Sequence, residues 1–580
     1  MEDKIVFTGV SDMPPLPMTL GTTLYNKTGS WKYIKPVYQD KLAPCVEACP
    51  AGENIAGYMY LVTEERFREA WELILKENPF PSVCGRVCYH PCEAACNRQH
   101  LDQALAINAM ERFLGDYGLG LRNVKWATAK PTGRKIAVVG SGPAGLSCAY
   151  FLARMGHQTI VFEALPDTGG VLRVGIPEYR LPREILNKEI ARIEASGVEL
   201  RTRTRVGDEV RLSDLKKFDA VFLATGVHQS RRLDIPGEEW EGVISGLKFL
   251  KDINSGKAVK IGKKVAVIGG GNTAMDAARS ALRLGSDVAV YYRRTRQEMP
   301  AIEDEIEGAL KEGIQIHYLV APVKVVAQNG EVCGLECIKM KLGAPDESGR
   351  RRPVPIEGSN FTVETDTIIT AIGERPDFSF LIPEIATQNQ VIAIDAVGET
   401  SLKGFFAGGD IVDQPHTVVH AIGSGKRAAM AIDQYLQGES LEAVLAEFKL
   451  GHKGSLSMAK YLGDEDSVDY QDVVGFEHIN LDYFPEKKRL PMPELSVEKR
   501  IKGFREVNLG FDKRMALEEA GRCFNCGFCT QCDNCFVFCP DVSVRRRADG
   551  YRYYFNYDYC KGCGICAQEC PRSAITMVRE

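Results

Sequence analysis

The amino-acid sequence predicts an α/β multidomain protein, and three observations carry that expectation. Two stretches, starting at Lys135 and Lys264, share one order: apolar run, glycine turn, helix-period segment, second apolar run. Of nineteen cysteines, sixteen crowd toward the two ends of the chain. At 580 residues the chain is too long for a single core.

In the first stretch, KIAVVGSGPAGLSCAYFLARMGHQTIVFE, the run Ile136–Val139 leads into Gly140, Gly142 and Gly145. The first glycine allows the turn, the second lets a pyrophosphate approach the backbone, and the third lets helix pack on strand. The following helix, expected over Leu146–Met155, turns its unpaired N–H groups toward the phosphates. Glu163 ends the second apolar run, 23 residues after Gly140, where a carboxylate accepts hydrogen bonds from a ribose. This is a Rossmann-like dinucleotide site.

The second stretch repeats the pattern with Gly269, Gly271 and Ala274 in the three small positions. Asn272 and Thr273 open its helix. Its second apolar run ends on Arg293 and Arg294, with Arg296 just beyond, instead of a carboxylate. A carboxylate would repel a 2′-phosphate, whereas guanidinium groups bind phosphate in pairs, so NADP is favoured over NAD. The buried-strand patterns AVFLATG (220–226, ending at Gly226), IITAIGERP (368–376) and FFAGGD (405–410) follow in turn. A second unit inserted before the chain returns to the first predicts one FAD and one NAD(P) domain.

Composition narrows the class. Hydrophobic residues make up 44% and charged residues 26%, as in soluble globular proteins. A net charge of −5 gives no support to nucleic-acid binding. No apolar run approaches the roughly 20 residues that span a bilayer, and the first residues lack a signal-peptide pattern. The expectation is a cytoplasmic protein with no membrane span. Disulfides are improbable in that setting, so thiol spacing points to metal or iron–sulfur ligation.

At the C-terminus, Cys529, Cys532, Cys535 and Cys539-Pro540 are repeated as Cys560, Cys563, Cys566 and Cys570-Pro571. This doubled spacing resembles bacterial two-cluster ferredoxins, in which the fourth cysteine of each run ligates the other cluster. At the N-terminus stand Cys45, Cys49, Cys84, Cys88, Cys92 and Cys96, with prolines and polar residues between them that argue against a plain core helix. A helix-like span covers Ile55–Lys76. Residues 1–40 read as an extended arm without chemistry, and 440–520 as a polar connector.

With GSGPAGL (140–146), GGVLRVGIPEYRLP (169–182), GGGNTAMDAAR (269–279), YRRTRQEMPA (292–301) and AGGD (407–410), residues 40–440 resemble the small (beta) subunit family of glutamate synthase. The resemblance implies FAD at Gly140–Gly145, Glu163, Gly170, Arg180 and Asp410, and NADPH at Gly271, Asn272, Thr273, Arg293 and Arg294. It implies a helix from Thr417 aimed at the flavin ring, which brings Gly226, Gly409 and Val418 into the expected contacts. His416 and His420 are expected only to pack.

That family's N-terminal module binds two clusters and begins with a Cys-x2-Cys pair, absent upstream of Cys45. Cys523 and Cys526, left over from the ferredoxin register, lie in a segment resembling the missing one. The matching implies that they complete a cluster with Cys45 and Cys96. Cys49, Cys88 and Cys92 hold the other, with Glu111 as fourth ligand. Cys84 is a rival for Glu111, and the pair at 523 and 526 could serve another subunit instead. Cys148, Cys333 and Cys337 are expected to pack inertly.

The predicted layout is a helical iron–sulfur domain (1–128), an FAD domain in two parts (129–255 and 376–440), an NAD(P) domain (256–375), the connector (441–520) and a ferredoxin-like α+β domain (521–580). Nicotinamide gives up two electrons together, a cluster takes one, and flavin mediates between them. The expected activity is electron exchange between NADPH and ferredoxin or a partner redox subunit, through FAD and about four 4Fe–4S clusters. Alternatives are a glutamate synthase small subunit and a self-sufficient NADPH:acceptor reductase. No nucleophile–base constellation stands out, and no catalytic side chain is assigned.

Overall fold

The computed structural model describes residues 8–12, 27–122, 124, 128–346, 349–440, 442, 446–463, 472–548 and 552–580. Apolar runs with no polar alternation build strands covered on both faces. Four of them, with the polar edge strand Glu199–Arg201, form the first parallel sheet, in the order Phe405–Ala407, Ala220–Leu223, Lys135–Val139, Gln158–Phe162, Glu199–Arg201. One edge comes from beyond residue 400, so the chain leaves this unit and returns to it. The glycine-loop helix runs over Pro143–Arg154, three residues earlier than the apolar period alone suggests, because Pro143 fits its first turn. It packs on the returning helix Val418–Gln437, and a Cβ at Gly425 would stand 2.2 Å from the Ala144 carbonyl oxygen.

The second parallel sheet runs Gln315–Tyr318, Asp287–Tyr292, Lys264–Ile268, Thr367–Thr370, Val243–Ser245. Its edge strand Val243–Ser245 lies ahead of residue 256, where the sequence places the start of this unit. An antiparallel patch of Val320–Gln328, Glu331–Pro345, Arg351–Pro355 and Phe361–Glu364 packs on it. Cys337 is buried there and Cys148 in the first unit's core, but Cys333 is exposed on its strand, contrary to the expectation of packing.

The span Ile55–Lys76 is two helices, Ile55–Thr63 and Phe67–Leu75, separated at Glu65 by a left-handed φ of 55°. The thiols from Cys84 to Cys96 likewise do not share one helix. His90 (φ 59°) and Pro91 part Pro81–Val87 from Pro91–Ala94. The connector is bound to this helical layer. Leu42 exchanges backbone hydrogen bonds with Asp472 and Val474, Arg489 pairs with Glu93, and the fully buried Arg522 donates to Asp102 and to the Gln103 and Lys487 carbonyls.

The N-terminal arm is not a free extension where it is described. Its strand Ile34–Tyr38 pairs antiparallel with Ile575–Arg579 of the C-terminal domain. Among the described residues no helix is long and apolar enough to cross a membrane.

Candidate functional site

The first glycine loop divides its work as the sequence suggests. Gly140 has φ 103°, and a Cβ there would meet the Ala224 carbonyl oxygen at 2.4 Å; at Gly145 one would meet the Gly140 carbonyl oxygen at 2.0 Å. At Gly142 a Cβ would meet nothing within 4 Å. That open face belongs to a cavity of about 320 Å³ lined by Gly140, Gly142, Glu163, Gly170, Gly226 and His228, among others. Gly170 (φ 54°) lies so close to Gly142 that its Cβ would come within 2.9 Å of the Gly142 Cα. Glu163 accepts the N–H and hydroxyl of Ser141 and the Leu165 N–H (2.7 Å). A carboxylate has about four acceptor positions, so one remains for a ribose hydroxyl.

A second cavity, about 250 Å³, joins three parts of the chain. The first unit contributes Gly226, Gly409, Asp410, Thr417 and Val418, the second contributes Asn272 and Thr273, and the helical layer contributes Val87 and Tyr89. Thr417 caps the helix Val418–Gln437, accepting the His420 N–H at 3.3 Å, so that helix opens onto the cavity. Three residues that sequence reasoning gave no role stand here: His228, Glu374 and His416. Burial raises the Asp410 carboxyl pKa, against the opposing charge of His416; burial raises Glu374 too, with His416 again opposing. Burial lowers the pKa of His228. His228 follows a strand's C-terminal end, where ligands of such sheets gather, and that was the only signal that could have marked it. His420 stacks on Tyr89 (ring centroids 6.1 Å apart, 16° between planes), so it does pack, but beside the cavity.

Arg180 lines this cavity but is already paired. Its Nη1 donates to Asp276 Oδ2 at 2.7 Å and its Nε lies 2.8 Å from Glu305.

In the second unit Gly269 (φ 145°) packs against the Ala371 carbonyl oxygen, a Cβ at Gly271 would meet only the Pro300 side chain, at 4.0 Å, and Ala274 is fully buried. Asn272 Oδ1 accepts the Ile302 N–H at 2.9 Å. The arginines separate. Arg293 is exposed, whereas Arg294 is buried and donates to the Arg351 carbonyl (2.8 Å) and to Asp346 (2.6 Å). Arg296 pairs with Glu303 and Glu307.

The N-terminal thiols form two groups. Burial, then Cys96, Cys523 and Cys526, raise the Cys45 pKa well above the usual thiol range. Asn97 Nδ2 donates to Cys526 Sγ at 3.5 Å, and the Asn525 N–H to Cys523 Sγ at 3.3 Å. The second group is Cys49, Cys88 and Cys92: burial, then Cys49 and Cys88, raise Cys92. Glu111 adjoins Cys88 and Cys49. Burial, then Glu111 and Cys88, raise the Cys84 pKa as well, so both rivals stand at this group. A further buried carboxylate, Glu53, shares Asn78 with Glu111; Nδ2 donates to Glu53 at 2.8 Å and to Glu111 at 3.0 Å. Burial pushes Glu53 up to about 7.

The C-terminal thiols are interleaved. Cys529, Cys532, Cys535 and Cys570 line one small cavity with Tyr38. Burial, then Cys560, Cys535, Cys539 and Cys563, raise Cys566 to about 12. The first three thiols of each run thus stand with the fourth of the other, Cys570 or Cys539.

Thiols that oppose one another's ionisation in the bare chain are stabilised as thiolates around cationic iron, so all four groups suit such a centre. Among the described residues no three His, Cys, Asp or Glu side chains close on a single metal ion. In a cluster each thiolate takes its own iron.

Comparison with known proteins identifies families along the chain. Residues 134–425 match the pyridine nucleotide-disulphide oxidoreductase family, 37–121 the dihydropyrimidine dehydrogenase domain II 4Fe-4S cluster family, and 553–576 the 4Fe-4S binding domain. The chain is 42% identical over 514 residues to the NADP(+)-dependent formate dehydrogenase subunit beta of Moorella thermoacetica, covering 83% of this chain and 70% of that one. It is 41% identical over 520 residues to the NADPH-Fe(3+) oxidoreductase subunit beta of Geobacter sulfurreducens, covering 83% and 75%. The glutamate synthase [NADPH] small chain of Escherichia coli is 36% identical over 418 residues, 68% of this chain and 88% of that one.

Proposed function

Because the chain belongs to the pyridine nucleotide-disulphide oxidoreductase family, in the glutamate synthase small-chain-like group with 4Fe–4S modules at both ends, we propose that it carries electrons between NADPH and a partner redox subunit or ferredoxin. One observation supports this best. The cavity bounded by Gly226, Asp410 and Thr417 is also bounded by Asn272 and Thr273 of the second unit and by Val87 and Tyr89, next to Cys88. A ring bound there would touch a hydride donor on one side and a cluster's protein shell on the other.

FAD, when bound, accepts the two electrons of a hydride together and releases them one at a time. The protein's share is placement. Gly142 and Gly170 admit a pyrophosphate to the backbone, and Glu163 receives a ribose. The helix from Val418 points unpaired N–H groups into the ring cavity, where they favour negative charge. Arg293 serves the 2′-phosphate, while Arg294 braces the turn that presents it. The thiol neighbourhoods support four ligand groups, for about four 4Fe–4S clusters: Cys45, Cys96, Cys523 and Cys526; Cys49, Cys88, Cys92 and Glu111; Cys529, Cys532, Cys535 and Cys570; Cys539, Cys560, Cys563 and Cys566.

Two relatives that each match 83% of this chain are named beta subunits, which supports a role as the nicotinamide-side subunit of a larger assembly. The test is anaerobic mixing of the reconstituted chain with NADPH in a stopped-flow spectrometer. Flavin absorbance should bleach first and iron–sulfur absorbance should follow. A chain holding flavin and iron that does not bleach defeats the proposal, and faster bleaching with NADH defeats its NADPH part.

A further inference from the structure

The two C-terminal cysteine runs are copies offset by 31 residues, Cys529 to Cys560, so each element of one has a counterpart in the other. Strand Val544–Arg546 follows Cys539, and its counterpart Ile575–Arg579 follows Cys570. Val544–Arg546 pairs with Tyr553–Phe555, just ahead of Cys560. By the same offset, Ile575–Arg579 should pair with residues 522–524. That stretch stands instead among the N-terminal thiols, Cys523 beside Cys45 and Cys96.

The vacant strand position is filled from the far end of the chain, by Ile34–Tyr38. The register identifies the equivalent residues. Val544 is opposite Phe555, and Ile575 is opposite Tyr38. Tyr38 therefore takes the place in one half that Phe555 takes in the other, and the two rings stack, 4.7 Å apart and 19° from parallel. They differ by one hydroxyl, and that hydroxyl lies 3.1 Å from Cys535 Sγ.

The sulfur hydrogen bonds of the two halves are consequently unlike. In one group Ser543 supplies both its N–H (3.3 Å) and its hydroxyl (3.2 Å) to Cys539. The counterpart of Ser543 is Ala574, which offers Cys570 only its N–H (3.3 Å). The second group lacks that serine hydroxyl but has the one on Tyr38. A sulfur bound to iron carries no proton, so the hydroxyl is the donor. Such a bond strengthens as negative charge on the centre grows, and hydrogen bonds to sulfur are among the factors that set a cluster's potential.

We propose that Tyr38 is a positioning residue of the N-terminal arm that raises the reduction potential of the cluster held by Cys529, Cys532, Cys535 and Cys570. This rests on the ligand reading above. The test is Tyr38→Phe in the full reconstituted chain, which keeps the ring and its stack and removes only the hydroxyl. In an EPR-monitored redox titration one cluster should move to lower potential, with iron, sulfide and flavin contents and NADPH bleaching unchanged. Ser543→Ala should lower a different component, and the double variant both. The inference is overturned if no midpoint moves in Tyr38→Phe, if both single variants move the same component, or if Tyr38→Phe loses iron. A wild-type chain that takes up no iron and sulfide fails earlier, and sinks the ligand reading as well.

Discussion

Arg180 Nη1 meets Asp276 Oδ2 at 2.7 Å, inside the joint between the two nucleotide-binding units. Arg180 comes from the segment after the short helix Val171–Val174 and Asp276 from the helix Asn272–Arg283 that opens at the second glycine turn. Both also line the ring cavity. Glu305 sits on Arg180 and Arg279, Glu312 holds Arg279 and Arg283, and the Tyr179 ring lies 4.7 Å and 4.0 Å from the Arg279 and Arg283 guanidinium carbons. The relative position of the two nucleotide-binding units is thereby tied to a buried ionic joint.

Removing one partner from such a joint leaves an uncompensated buried charge, at about 3–5 kcal/mol. Asp276→Ala should therefore lower the thermal transition of the whole chain and weaken flavin retention. Arg180→Met added to Asp276→Ala should recover part of the loss, because the buried cation left with one counter-charge is gone and Glu305 keeps Arg279 as its partner. Differential scanning calorimetry of the single and double variants measures the coupling.

The glycines of the first turn separate folding from binding. Gly142→Ala meets no protein atom within 4 Å and has an ordinary φ of −70°, so the fold should survive while the methyl group occupies the cradle. Gly145→Ala would place a carbon 2.0 Å from the Gly140 carbonyl oxygen. The expected outcome is a flavin-depleted but stable Gly142→Ala, and a Gly145→Ala with reduced melting temperature or yield. Flavin absorbance per chain, read beside the melting curve, distinguishes the two.

Much of this was legible in the sequence because local patterns dictated it. Both glycine turns and the strands after them follow from apolar runs interrupted by residues that permit a turn. The interleaved C-terminal thiols are what the resemblance of the doubled spacing to two-cluster ferredoxins implies. What the sequence did not disclose depends on distant parts of the chain. Nothing near Tyr38 says that it will lie beside Cys535, since that contact exists only because residues 522–524 are engaged elsewhere. Nor could spacing separate Arg293 from Arg294, because what buries Arg294 is Asp346 and Arg351 on a patch more than fifty residues away.

The two arginines should consequently fail differently. Arg293→Ala removes an exposed cation and should raise KM for NADPH with little effect on NADH. Charge-assisted bonds worth about 1.5–3 kcal/mol put the increase between about tenfold and a hundredfold. Arg294→Ala should lower stability and affect both nucleotides together. Steady-state kinetics with each nucleotide and an artificial acceptor compare them.

Glu189 offers a test through pH. It is fully buried, and its two oxygens accept the N–H groups of Ser82 (2.8 Å) and Val83 (3.0 Å) in the first turn of Pro81–Val87. Burial pushes its carboxyl up to about 7, with those N–H groups opposing. The folded chain thus keeps this proton to higher pH than the unfolded chain, whose value is about 4.3. Stability contributed by the protonated form should fall as pH rises between the two values and level off above 7. Glu189→Gln cannot titrate, so its melting temperature should change less from pH 5.5 to 7.5 than the wild type's.

The pair at Cys523 and Cys526 decides whether the chain completes its own N-terminal cluster. Three contacts bring this segment to the helical layer. Asn525 Nδ2 donates to the Ala56 carbonyl (2.9 Å), Asn97 donates to Cys526, and Arg98 donates to the Arg522 carbonyl (3.1 Å). Arg522 itself is buried against Asp102 and Glu519. A segment held by so many buried polar partners cannot swing to a neighbouring subunit without stranding them. Cys523→Ser should therefore lower iron by about a quarter if four clusters are present, or change one EPR component if the serine oxygen ligates. Mixing Cys523→Ser with Cys45→Ser chains should not restore the cluster, since each chain lacks a ligand of its own site. Restoration on mixing would show that the pair serves another subunit, and an unchanged spectrum with full iron would show that Cys523 is no ligand.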